Sequence, residues 1–120
     1  MWKGVENLSD YSIGIELEGY HYTSFSPQQY QSLRNLLDQF QGRYGIQDQD
    51  VLEHYRIAYA APNRYHKVKQ RGRKLDPGFD NFDRPRAGLK GEYPGDPDVT
   101  AGRVKGTPGL IRPSGQTTVL

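Results

Sequence analysis

The sequence contains no cysteine. That excludes disulfides, thiolate metal sites and cysteine nucleophiles. It leaves the compartment open, because cysteine-free chains suit oxidising and reducing surroundings alike. Long apolar runs are also missing: no stretch approaches the roughly 20 apolar residues of a membrane span. The opening Met1-Trp2-Lys3-Gly4-Val5-Glu6 has no apolar signal-peptide core. As written, the chain is expected in the cytoplasm; a preceding segment with a signal would make it periplasmic or extracellular. A strong excess of one charge is absent too, with 16 basic residues against 14 acidic. Such a balance makes no electrostatic demand for nucleic acid or an anionic membrane, and neither is expected as a partner.

Apolar residues are scarce, at 34% of a 120-residue chain, and the mean hydropathy is -0.87. This length suits one small domain. A domain of that size buries only a modest share of its surface.

Between Tyr11 and Leu17, apolar Tyr11, Ile13, Ile15 and Leu17 alternate with Ser12, Gly14 and Glu16. A period of two predicts a half-buried strand, with Glu16 and Glu18 on its polar face. Ser26 then suits a helix cap, Pro27 the first helical position, and Gln29 completes a capping box. Tyr30, Leu33, Leu37, Phe40 and Tyr44 follow at helical spacing. These signals predict a helix over 27–41, with Gly42 and Gly45 as stops. Val51-Leu52-Glu53-His54 predicts a brief strand ending near His54.

Residues 59–73 form a polar, cationic loop holding Arg64, His66, Lys67, Lys69, Arg71 and Arg73. Pro77-Gly78 marks a turn. From Arg84 onward, Gly and Pro supply about a third of the residues and apolar periodicity vanishes. An irregular or disordered tail is expected over 84–120, in which Arg103, Lys105 and Arg112 read as solvated linker charges.

Glu16, His54, Lys74 and Asp76 are the candidates for chemistry. A zinc hydrolase needs three protein ligands and a water, a carboxylate base and a cation. The same four residues also read as an ordinary salt-bridge set.

Asp10-Tyr11-Ser12-Ile13-Gly14-Ile15-Glu16-Leu17-Glu18-Gly19 resembles the signature of the type-2 N-acetylmuramoyl-L-alanine amidases, whose fold is shared with peptidoglycan recognition proteins. Phe25 to Leu33 resembles the helix start that follows it there. His54-Tyr55-Arg56-Ile57-Ala58 resembles the family's H-x-x-I-A, and Arg73-Lys74-Leu75-Asp76-Pro77-Gly78 its R-K-x-D-P-G. The wording I-E-L-E-G is closest to the bacterial branch that recycles cell-wall fragments.

The resemblance implies an α/β fold: a partial amidase domain over 1–83, with a mixed sheet and a packed helix, followed by the tail. It implies zinc as cofactor, His54 and Asp76 as metal ligands, and Glu16 and Lys74 as catalytic residues. Peptidoglycan or muropeptides are the implied partner, cut at the amide between N-acetylmuramic acid and L-alanine. Arg71 and Arg73 are candidate substrate contacts, since stem peptides carry D-glutamate and often diaminopimelate.

Three departures bear on this. The family's first zinc histidine precedes the I-E-L-E-G motif, and no histidine does so here. Trp2-Lys3-Gly4 resembles internal family sequence, so a C-terminal part of such a domain is expected. His21 and His66 are the remaining histidines that could serve as a third ligand. The loop 59–72 is inserted relative to the family, and Phe79 to Asp83 stands where the family has Pro and Trp. The runner-up function is a non-catalytic muropeptide-binding remnant. A nucleic-acid module built on Tyr59, Tyr65 and the loop cations ranks third.

Overall fold

The computed structural model describes residues 1–78, 80–91 and 95–106. Its main element is helix α1, Pro27–Tyr44. Its start follows the sequence signals closely. The Gln29 backbone N–H donates to Ser26 Oγ at 3.1 Å, and the Ser26 N–H donates to Gln29 Oε1 at 2.8 Å. Two helix-end donors are thereby satisfied. The helix runs three residues past the expected end at Gln41, carrying Gly42 inside it, and stops where Gly45 turns left-handed at φ 67.

Tyr30, Leu33 and Leu37 of the apolar stripe are buried, while Tyr44, at 58% exposure, stands outside it. Phe25, Ala87 and Leu89 complete the buried cluster, with Ile15, Leu17, Val51 and Phe82 packed at its margin. The core is thus one helix face covered by irregular chain.

Among the described residues the expected mixed sheet does not form. Among the described residues the only β-type pairings are isolated bridges, Trp2 with Val5, Ala60 with Gln70, and Gln70 with Lys105. Over 11–17 the alternating pattern is present but no strand is. A strand exists through its ladder partners, and among the described residues no backbone–backbone bond engages positions 12 to 19. Ile15 and Leu17 still turn toward α1, whereas Tyr11 and Ile13 are exposed at 76% and 46%.

The second expected strand is also corrected. Residues 51–53 are extended, but His54 opens a short helix, α2, His54–Ile57. The Val51 carbonyl is taken by the Arg84 guanidinium at 2.7 Å in place of a strand partner.

The segment after Arg84 is irregular for most of its described length, yet it is packed. Ala87 and Leu89 are each 2% exposed and seat on α1. A last short helix, α3, Pro97–Thr100, is capped by Asp96, whose side chain accepts from the N–H groups of Asp98 and Val99. Ala87 and Leu89 thus share one buried cluster with α1. Arg103 is no free linker charge, since its Nε donates to Asp98 at 2.7 Å. Arg112 and the rest of 107–120 lie outside the described residues.

Candidate functional site

α2 is held from several sides. Glu53, its N-cap and 6% exposed, lies between two guanidinium groups: Arg56 Nε at 2.7 Å and Arg84 Nη1 at 3.1 Å. A buried carboxylate needs such partners. Arg84 also donates to the carbonyls of Val51 and Asp48. At the other end of α2, Arg71 Nη1 donates to the Ile57 carbonyl at 2.7 Å. That carbonyl belongs to the last helical turn, which lacks intrahelical partners.

The turn carrying Asp76 docks onto the start of α2. The Tyr55 N–H, one of the orphan donors of a helix start, donates to the Asp76 carbonyl at 3.0 Å. Pro77 follows through a cis peptide, and the Gly78 N–H returns to the Leu75 carbonyl at 2.7 Å. Gly78 is fixed in identity: its φ is +96, and an added Cβ would lie 2.0 Å from the His21 carbonyl oxygen. Asn81 Nδ2 ties the same turn to the Thr23 and Pro77 carbonyls.

These backbone contacts bring two of the sequence candidates together. His54 Nδ1 and Asp76 Oδ2 are 2.9 Å apart, with side chains 44% and 59% exposed. The other candidates do not join them. Glu16 is exposed, with no hydrogen bond or ion pair among the described residues. Lys74 is exposed beside the turn and likewise lacks an ion pair among the described residues.

Arg73 donates from Nε to the Tyr59 carbonyl at 3.0 Å. Arg71 is not a surface contact at all: it is 3% exposed and committed to Asp96 and Asp98 at 2.8 and 3.1 Å. A buried guanidinium without such partners would be strongly unfavourable, so this side chain belongs to the interior.

A model of the N-acetylmuramoyl-L-alanine amidase family matches residues 2–79. The chain belongs to that family. No curated protein and no solved structure gives a significant match. The amidase match contains Glu16, His54, Lys74 and Asp76, but ends before Arg84, Asp96 and Asp98.

Amidases of this family commonly use zinc, and the donor set here fits that ion only in part. Zinc ligands at tetrahedral angles and ordinary bond lengths lie about 3.3 Å from each other. The His54–Asp76 pair, at 2.9 Å, is the right chemistry at nearly that spacing. Three protein ligands are needed, however, and among the described residues no group of three His, Cys, Asp or Glu converges. His21 and His66 do not fill the gap. The His21 ring packs edge-on to Tyr22, with centroids 5.2 Å apart, and the His66 backbone closes a turn with Asn63. The two converging side chains are one short of the three protein ligands that zinc needs.

Sequence reasoning missed Glu53, Arg84, Asp96 and Asp98. Asp96-Pro97 carried a legible signal, a capping residue followed by proline at the first helical position. Nothing local marks Arg84 as the partner of Glu53, 31 positions away.

Proposed function

We propose that this chain is directed at muropeptides, and that His54 and Asp76 are two zinc donors for hydrolysis of the amide between N-acetylmuramic acid and L-alanine. The single observation that carries the reading is the 2.9 Å His54–Asp76 contact. It is built from two separate family motifs, inside the matched span. The bond class follows from the family, whose chemistry is amide hydrolysis in peptidoglycan. Glu16 is proposed as the proton acceptor and Lys74 as the cation facing the developing negative charge. Both are exposed and without an ion pair among the described residues, as groups waiting for substrate would be.

A second reading is favoured by the donor count. With two converging donors, the chain binds muropeptides through the same turn and does not cut them. One experiment separates the two. A purified muropeptide is incubated with the chain and zinc, beside Asp76→Ala, and products are read by mass spectrometry. Release of free stem peptide by the parent alone supports hydrolysis. Binding without release, by a chain shown to be folded, supports the second reading. Absence of both overturns the muropeptide assignment.

A further inference from the structure

The two candidate donors, His54 and Asp76, are joined by the inserted loop. The chain leaves α2 at Ile57 and returns through Arg73 and Lys74. Ala60 and Gln70 exchange two backbone bonds, 2.7 and 3.1 Å, which makes the connection a hairpin. Its returning arm is fixed on the far side as well. The Lys105 N–H donates to the Lys69 carbonyl at 2.8 Å, and the Arg71 N–H to the Lys105 carbonyl at 2.9 Å. Below the stem, buried Arg71 locks into Asp96 and Asp98. The base is anchored; the tip, residues 61–68, is exposed throughout.

That tip is shaped and charged. Asn63 Oδ1 accepts from the N–H groups of Tyr65 and His66 at 2.8 and 3.0 Å. The Arg64 guanidinium carbon lies 4.7 Å from the centroid of the Tyr65 ring, which is 72% exposed. No acidic residue occurs between Glu53 and Asp76. Among the described residues, Arg64, Lys67, Arg73 and Lys74 have no ion pair. Among the described residues, six other cations, Lys3, Arg56, Lys69, Arg71, Arg84 and Arg103, each pair with a carboxylate. An anchored cationic projection with no counter-charge of its own presents a field to an anionic ligand.

We infer that the hairpin over 60–70 is an arm that recognises the free carboxylates of the stem peptide, with Arg64 and Lys67 as its contacts. This rests on the muropeptide assignment above. The lengths agree. A stem peptide extends at most about 3.5 Å per residue, so carboxylates two or three residues beyond the cut amide lie about 7–10 Å from it. Arg64 is four positions from the stem residue Ala60, a reach of at most about 14 Å. The arm therefore selects stem peptides by charge: free-acid forms bind better than forms whose side carboxyls are amidated.

The test is calorimetric binding of two muropeptides, one with free carboxylates and one amidated, to the full chain. The parent, Arg64→Ser/Lys67→Ser and Lys90→Ser are compared at low and physiological salt. The free-acid form is expected to bind the parent about three- to fivefold more tightly, as two exposed ion pairs allow. That preference disappears in the double variant, persists in Lys90→Ser, and shrinks as the Debye length falls from about 30 to 8 Å. Equal affinity for both forms, or a preference that survives in the double variant, overturns the inference and leaves the muropeptide assignment standing. Failure of both forms to bind overturns the assignment and the inference together.

Discussion

Asp98 holds the Arg71 guanidinium at 3.1 Å, and neither side chain is exposed to solvent. The pair is part of a wider net. Asp96 takes the same guanidinium at 2.8 Å, and Asp98 accepts from Arg103 and from the N–H groups of Lys3 and Gly4. Three distant segments, near residues 3, 71 and 98, thereby meet at one carboxylate. Removing one member of a buried pair leaves an uncompensated charge. Asp98→Ala is expected to cost about 3–5 kcal/mol, measured by urea unfolding. A loss within about 0.5 kcal/mol, the usual range for a plain surface site, would contradict the net.

The same carboxylate sets an acid limit. Burial pushes the Asp98 carboxyl up, but hydrogen bonds from Arg103, Gly4 and Lys3 and the Arg71 charge outweigh it and hold it below the usual aspartate range. Asp48 is lowered too, by the Gln41 side chain and the Lys90 N–H. A group with a depressed folded pKa stabilises the protein above its unfolded value, about 3.9 for aspartate. That contribution fades as pH falls toward the folded value. Melting temperature should therefore drop steeply below about pH 4. The drop should be shallower in Asp98→Asn, whose residual slope reflects Asp48.

Two glycines should respond in opposite directions to alanine. Gly42 lies inside α1 with open space where a Cβ would go. Gly42→Ala is expected to stabilise by roughly 0.5–1 kcal/mol. Gly78 combines φ +96 with a Cβ position 2.0 Å from the His21 carbonyl. Gly78→Ala is expected to destabilise by about 1–3 kcal/mol and to weaken muropeptide binding, because the turn beside Asp76 must shift. Thermal melts of both variants check the pair of signs.

What the sequence disclosed was local. The capping box at Ser26 and the stripe through Tyr30, Leu33 and Leu37 depend on residues a few positions apart, and both are present. The Tyr11 to Leu17 alternation was equally visible, but a strand needs a neighbour, and a pattern within one segment does not supply one. His54 and Asp76 were legible through motif resemblance, and the fold brings them to contact. Arg71 was a candidate substrate contact in the sequence; its burial had no local signal, because its partners lie 25 and 27 positions away. The part-buried Arg84–Glu53 contact, across 31 positions, had no sequence signal for the same reason.

Zinc titration by calorimetry on the parent, His54→Ala and Asp76→Ala tests the central claim most directly. With two converging donors, the parent is expected to bind one zinc, well short of the roughly 10–16 kcal/mol of complete structural sites. Either substitution should abolish that binding while the α1 helix signal in circular dichroism is kept. Zinc bound with unchanged strength by either variant would place the ion elsewhere and contradict the assignment of the His54–Asp76 pair.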